Sequence, residues 1–399
     1  MFWNSGFSAA GAIRRWCQVI LVCITMAAAN GVQAQQQRTA MDIWLVTYGP
    51  GEISWQRFGH NAIWIRDEAS GLDHVFNFGF FDFEQEAFYR RFLQGKLWYF
   101  SAAQPAQREF SQYINENRSI RAQRLDLSED QSLRLAEYLL GEIRPEKRDY
   151  LYDYYTNNCS TRIRDALDLA LDGELSRVFS DQSAHQNWRD HTRRLTAADF
   201  WLYLGLEMGL GSMVDRENSR WEEFFIPSEL ASAVEDFQIS GPPGDRPLVT
   251  EDIMLYESSL EPPPALPANW WPRYLLLSAL VLAAAWLICR WAPWVSASGL
   301  VRTWLVLSGL AGCILVFFWF FTDHVAARNN LNLLLLNPLW LLFAFWSRPR
   351  LAGWLLIILS VLAAITALIP GGQYNLDVVA AFLPPNIAAA LVLLRMSRD

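Results

Sequence analysis

Short runs of alternating apolar and polar residues mark the first part of the chain. Residues 60–67, His-Asn-Ala-Ile-Trp-Ile-Arg-Asp, have the period of a half-buried strand. A polar turn over 68–73 leads into 74–80, His-Val-Phe-Asn-Phe-Gly-Phe, and the pair predicts a β-hairpin. Further on the period changes. Ile163, Ala166, Leu167, Ala170 and Leu171 are spaced for one face of a helix, and Gly173 is a natural stop. Asn157, Asn158 and Ser160 can each cap the start of that helix. Beyond residue 272 the pattern turns almost wholly apolar. Five spans are expected there, over 274–289, 304–321, 333–346, 351–369 and 376–394, some of them short for a membrane core of ~30 Å.

The connecting stretch 241–272 carries Gly-Pro-Pro-Gly, Glu-Pro-Pro-Pro and Leu-Pro, which predicts an extended spacer ending at interface-favouring Trp270 and Trp271. The start of the chain has Arg14 and Arg15, an apolar run over 19–29 and Val32-Gln33-Ala34. That order predicts a secretory signal peptide over 1–34, with an uncleaved anchor helix as the alternative. Either reading exports residue 41 onward. The expected organisation is therefore an exported domain over 41–240, a linker over 241–272 and a transmembrane domain over 273–399.

Charge sharpens this division. Among 399 residues, 41–270 hold 22 Lys and Arg against 38 Asp and Glu, whereas 271–399 hold eight Arg, three Asp and no Lys or Glu. Such a chain is neither a simple soluble enzyme, a disordered polymer nor a disulfide scaffold. The acidic domain also argues against nucleic-acid binding, which needs a basic surface. With that domain outside, six of the eight C-terminal arginines fall in inner loops or the tail, and only Arg273 and Arg328 lie outside.

Cys159 is the exported domain's lone cysteine, since Cys17 and Cys23 belong to the leader and Cys289 and Cys313 to spans. Its position at a helix N-terminus offers unpaired N–H groups and a positive dipole end, which favour a thiolate with a pKa below about 8.5 and can hold an oxyanion. The base expected opposite it is His60, at the start of the hairpin. His185 and His191, in a polar stretch with arginines, read as surface positions. The histidine spacing makes no zinc set, and no cofactor is indicated.

A histidine opening a strand, followed about a hundred residues later by a cysteine opening a helix, is similar to the circularly permuted papain-like superfamily. That group includes the lecithin retinol acyltransferase type and relatives of NlpC-type peptidases. A more specific set resembles the Lnb family: Tyr48-Gly49-Pro50-Gly51-Glu52, Phe58-Gly59-His60, Phe76-Asn77-Phe78-Gly79, Gly95-Lys96-Leu97, Asn117-Arg118 and the run from Asn158 to Asp165. Thr322-Asp323-His324, Asn330-Leu331-Asn332-Leu333 and Asn337-Pro338-Leu339 extend it into the membrane part. The resemblance implies a bacterial lipoprotein N-acyltransferase. Such enzymes move an acyl chain from a phospholipid to the α-amine of a lipoprotein's diacylglyceryl-cysteine and leave a lysophospholipid.

It places the nucleophile at Cys159 and its base at His60. For the third polar member, Asn77 fits the Lnb pattern, while His74 has close to the separation from His60 seen in the retinol acyltransferase type. The implied fold is α+β and papain-like, with a small antiparallel sheet around His60, followed by a transmembrane bundle of about five helices. Arg162, Arg164 and Asn158 beside the thiol, and Asp323, His324 and Arg328 in the outer loop, are candidate contacts for lipid. The implied partners are membrane phospholipid and a lipoprotein N-terminus. The implied location is the bacterial inner membrane, with catalysis in the periplasm. The rival readings are a membrane-anchored cysteine hydrolase, acting on phospholipid or cell-wall peptide, and a non-catalytic tethered binding module.

Overall fold

A computed structural model describes residues 41–240, 244–292, 294–346 and 348–396. The expected signal peptide therefore lies outside the described residues.

The exported part is an α+β domain built on one antiparallel sheet of seven strands. They are β1 (Asp42–Tyr48), β2 (His60–Asp67), β3 (Leu72–Phe80), β4 (Leu97–Pro105), β5 (Ile120–Leu125), β6 (Asp149–Tyr152) and β7 (Val249–Tyr256), in the order β6-β4-β3-β2-β1-β5-β7. The hairpin β2–β3 is present, with Ala62 opposite Asn77 and Ile65 opposite His74. The sheet is larger than expected, and one strand was hidden: β7, inside the stretch read as spacer, pairs along β5 at the sheet edge.

Side-chain alternation sends residues to two faces. Ile43, Leu45, Ile63, Ile65, Phe76 and Phe78 pack on one face against α3 (Glu129–Glu142), α4 (Cys159–Ala170) and a later helix carrying Leu230 and Val234. Trp44, Val46, Tyr48, Ala62 and Val75 cover the other face, against Ala106, Phe110 and Tyr113 of α2 (Ala106–Asn115). A short helix, α1 (Phe88–Leu93), connects β3 to β4. Two helices beyond α4, α5 (Trp188–Thr196) and α6 (Phe200–Gly209), lead toward the membrane part.

Four helices there are long and apolar enough to cross a bilayer: α7 (Trp271–Trp291), α8 (Ala297–Phe320), α10 (Pro349–Thr366) and α11 (Leu376–Met396). The fifth expected span, 333–346, is not one helix. A 3-10 turn over Leu331–Leu334 gives way at Asn337-Pro338 to α9, only Leu339–Phe345. Proline lacks an N–H and cannot continue the preceding turn. Irregular backbone survives at membrane depth only when other groups satisfy it. Here Trp340 Nε1 and Asn386 Nδ2 both donate to the Leu335 carbonyl, at 3.1 and 3.2 Å. Another break follows the same rule. Pro384 and Pro385 inside α11 free the carbonyls of Ala380 and Ala381, and the Ser278 hydroxyl of α7 lies 2.8 and 2.7 Å from them.

The two parts meet along a buried polar seam. The last carbonyls of α6 have no partners within the helix, as at any helix end. Asn330 Nδ2 donates to Met208 and Gly209, Asn332 Nδ2 to Glu207 and Met208, and Gln373 Nε2 to Leu210. Beside these, Arg189 and Arg193 share Glu207, and Arg193 also reaches Asp377 of α11 at 3.4 Å. The apolar stretch at the start of α6 also meets the membrane part, where Tyr203 and Leu204 pack with Tyr274 and Ala380. The Asn-Leu-Asn-Leu motif is therefore a cap supplied by the membrane domain to a helix of the exported one.

Replacing Asn332 with Leu would leave the Glu207 carbonyl unpaired, since Asn330 still serves Met208, and would take from Asn375 Nδ2 its acceptor, at a cost of about 1–3 kcal/mol each. The expected result is a lower thermal midpoint of the detergent-purified protein, with Asn332→Gln recovering part of the loss. An unchanged midpoint for Asn332→Leu would show that the cap contributes little.

Candidate active site

The helix α4 begins at Cys159 because its cap is unusually complete. Asn158 Oδ1 accepts from the Thr161 amide at 2.9 Å, and Thr161 Oγ1 accepts from the Asn158 amide at 2.8 Å. This reciprocal capping box leaves Cys159 as the first helical residue. Its neighbour Ser160 ties the helix to the sheet, with Oγ 2.8 Å from Asn61 Oδ1 and 2.6 Å from the Phe224 carbonyl. Asn61 in turn donates to Thr47 Oγ1 on β1 at 2.8 Å. Cys159 is thereby buried against the beginning of β2, where the backbone N–H groups of Asn61, Ser160 and Cys159 itself face the sulfur.

His60 opens β2, one residue before the amide that meets the thiol. Its ring lies in an aromatic enclosure, with the Tyr48 and Tyr113 rings stacked at 5.9 and 6.3 Å. His60 Nε2 is 2.9 Å from Asn77 Oδ1, and Asn77 Nδ2 donates to Glu109 Oε2 at 2.7 Å. Tyr48 donates to Glu109 Oε1 at 2.7 Å. The direction of this chain follows from its end. Glu109 accepts from the Asn77 amide, so Asn77 presents its oxygen to His60. Nε2 then carries the proton, and Nδ1 keeps a free lone pair.

A bulge completes the surroundings. The pairing of β3 with β4 shifts between Asn77 and Phe80, and Gly79 there has φ +96°. A Cβ on Gly79 would lie 3.5 Å from Cys159 Cβ and 3.8 Å from the Tyr152 ring. Glycine is needed for the backbone angle and leaves room beside the thiol.

Burial sets the charge states. It pushes the Cys159 thiol above its ordinary value of 9.0, against the lowering pull of the N–H groups and of Arg118. The expected fall in pKa at the helix N-terminus is therefore reversed. Burial also brings His60 down from 6.5 to about 4, outweighing its bond to Asn77. At neutral pH the thiol and the imidazole are both uncharged. Glu109 rises from 4.5 to about 7, again through burial.

The other expected residues fall into place differently. His74 sits opposite Ile65, five positions along β2 from His60, about 16 Å at strand rise, and on the other face of the sheet. Asn77, not His74, is the residue brought to His60. Asn158 is the helix cap, and its Nδ2 donates to the carbonyls of Tyr154 and Phe225. Arg162 pairs with Glu142 at 2.8 Å and lies 4.0 Å over the Tyr150 ring. Arg164 is buried, bonded to Asp165 and to the Trp221 carbonyl, and stacked over Trp221. The Asp323 amide donates to Gln94 and His324 Nε2 meets the Phe92 carbonyl, both on the exported domain, while Arg328 is exposed.

His185 is exposed, but His191 is buried and bonded to Glu223 at 2.8 Å, because α5 turns a charged face inward onto acidic partners. The triplet His185, Glu223 and Glu229 has the spacing of a cation site, yet Arg220 Nη1 already bonds all three.

Two neighbours of the site were given no role by the sequence reading, although Arg118 stood in the Asn117-Arg118 motif. Glu109 shares a helical face with Ala106, Phe110 and Tyr113, and an acid among inward apolar positions is the signal that marks it. Arg118 is 4% exposed, donates to the Gly49 carbonyl and leaves Nη2 buried without a partner among the described residues.

An exported α+β domain with a buried thiol at a helix start, joined through a polar seam to membrane helices, defines a membrane protein with a periplasmic domain. The pattern of the Lnb N-terminal periplasmic domain matches residues 29–194, and that of the Lnb transmembrane domain matches 267–396. The chain belongs to the Lnb family, membrane enzymes that modify lipoproteins. No curated protein and no solved structure matches it.

Two measurements follow from the charge states. Alkylation of Cys159 by iodoacetamide should be slow at pH 7 and keep accelerating past the ordinary thiol range. A rate already level from pH 5 upward would mean a resting thiolate. Glu109 binds its proton more tightly folded than unfolded, so its stabilising contribution is complete below pH 4.5 and is lost as pH rises through about 7. The thermal midpoint of Glu109→Gln should accordingly fall less than that of wild type between pH 5 and 8.

Proposed function

We propose that this chain is a thiol-dependent acyltransferase. It takes an acyl chain from a membrane phospholipid and delivers it to the α-amine of a lipoprotein's N-terminal diacylglyceryl-cysteine. The observation that supports the reading is Cys159 at a capped helix start with three N–H groups on its sulfur, one of them the Asn61 amide directly after His60, whose Nε2 is committed to Asn77. That arrangement is the one a papain-like nucleophile needs.

In the first half-reaction Cys159 Sγ attacks the carbonyl carbon of a glycerol ester while His60 Nδ1 takes the thiol proton. Because both groups rest uncharged, the proton moves as the bond forms rather than beforehand. The N–H groups around the sulfur and the nearby Arg118 guanidinium stabilise the tetrahedral oxyanion. Its collapse breaks the ester C–O bond, His60 returns the proton to the departing alcohol, and a lysolipid leaves. In the second half the lipoprotein amine attacks the thioester. His60 accepts the amine proton, the C–S bond breaks, and the thiol is reformed as the amide is released. A thioester suits this order, since it resists water yet reacts readily with amines.

Asn77 acts as the positioning residue that fixes the imidazole tautomer, and Glu109 fixes Asn77. Among the cationic residues expected to meet lipid, Arg328 is the exposed one, on the outer loop between α8 and α9. Both substrates reside in the bilayer, which gives the membrane helices their purpose and locates the enzyme in the inner membrane with its thiol on the periplasmic side.

The test supplies the purified protein with phospholipid carrying a labelled acyl chain and a diacylglyceryl lipopeptide. The expected product is a labelled N-acyl lipopeptide with matching lysophospholipid, both lost in Cys159→Ala. Lysophospholipid with free label, and no labelled lipopeptide, would make the protein a phospholipase instead. Unlabelled N-acylation with loss of a chain from the lipopeptide itself would move the donor from phospholipid to lipoprotein.

A further inference from the structure

The segment between β3 and β4 exposes an unusual amount of aromatic surface. Phe83, Tyr89 and Leu93 are 50%, 72% and 51% exposed, and Trp55 of the preceding loop is 58% exposed beside them. Among the described residues these side chains stay half or more exposed. A patch of this kind on a soluble face calls for a partner.

Its position states which partner. The end of α1 is fixed to the outer loop of the membrane domain: the Asp323 amide donates to the Gln94 carbonyl at 2.8 Å, and His324 Nε2 lies 2.9 Å from the Phe92 carbonyl. Gly95 permits this approach, since at φ +75° a Cβ there would come within 2.7 Å of the His324 backbone. That loop directly follows α8, a candidate membrane span, whose last residue Phe320 and the following Phe321 are 64% and 71% exposed. The patch thus continues the lipid-facing surface of a membrane helix onto the exported domain. Arg90 and Lys96 are exposed within the same segment, cations of the kind that favour lipid headgroups.

The patch also leads inward. The Trp55 ring meets Phe81 at 6.3 Å, Phe81 meets Tyr99 at 5.1 Å, and Tyr99 stacks on Tyr152 at 4.2 Å. Tyr152 and Cys159 flank the same glycine, Gly79. Aromatic contacts therefore run from the exposed patch to Tyr152, which lies beside Gly79 as Cys159 does.

We propose that α1 and its aromatic neighbours form a lipid-docking surface seated in the outer leaflet, which directs one acyl chain of a membrane glycerolipid along Phe81, Tyr99 and Tyr152 toward Cys159. The second half of this statement rests on the acyltransferase reading; the seating in the leaflet does not.

The experiment separates the two. A nitroxide is attached at Tyr89→Cys in the full chain with its other cysteines replaced, reconstituted in vesicles of phosphatidylethanolamine and phosphatidylglycerol. Its collision rates with oxygen and with a water-soluble nickel chelate are compared with those of a label at Glu68→Cys on the β2–β3 turn. The oxygen-to-nickel ratio should be higher at Tyr89 by about fivefold, as for a side chain buried in the interfacial zone. Equal ratios at the two positions would overturn the proposal whatever the chemistry at Cys159. In an otherwise native chain, Tyr89→Asp with Leu93→Asp should cut acyl release from bilayer phospholipid by about tenfold and spare a soluble short-chain ester. Equal losses on both donors would remove the docking role.

Discussion

Asn61 is the point where helix and sheet are joined, and the geometry around the thiol depends on it. Its side chain accepts from Ser160 and donates to Thr47, so it spans from α4 to β1 across β2. Its backbone N–H faces Cys159. The residue before it is His60. A single fully buried asparagine therefore holds the helix start against the sheet, supplies one donor to the sulfur and ties down the strand that carries the histidine. Loss of that join would take the Asn61 donor from Thr47 and leave Ser160 held to the Phe224 carbonyl alone.

The same economy governs the boundary with the membrane part. Asparagines and a glutamine from the outer loops cap an exported helix, and Arg193 bonds both Glu207 beneath it and Asp377 of α11. A buried charge is stable only with its partners in place. The two parts consequently meet as one packed body at this seam rather than through a free spacer. For a membrane enzyme that modifies lipoproteins, a periplasmic domain held in one place against the membrane helices is the useful outcome.

Much of this was legible in the chain. The hairpin beginning at His60 and the helix beginning at Cys159 follow from period and capping alone. Membrane spans followed from length and apolarity, and the broken one failed as a helix because Asn337-Pro338 interrupts an otherwise apolar run. The edge strand Val249–Tyr256 was missed because its prolines on both sides read as spacer, whereas pairing with β5 is a tertiary event. At the site, His60, Cys159 and Asn77 were within reach of motif and spacing. Arg118 stood in the Asn117-Arg118 motif without a role and Glu109 stood in none, since what distinguishes both is burial. Burial also explains the thiol: helix position favours ionisation, but loss of water around the sulfur outweighs it.

That balance gives the chemistry its form. On the proposed mechanism, a thiol and an imidazole that both rest neutral exchange a proton only once a carbonyl is in place, which would protect the thiol in an oxidising compartment. The most direct test of the account is intact-protein mass spectrometry of the full chain after incubation with phospholipid. The account predicts a hydroxylamine-labile adduct of one acyl chain on Cys159 that is absent in His60→Ala. Lysolipid formed in wild type with no adduct, and undiminished in Cys159→Ala, would contradict it.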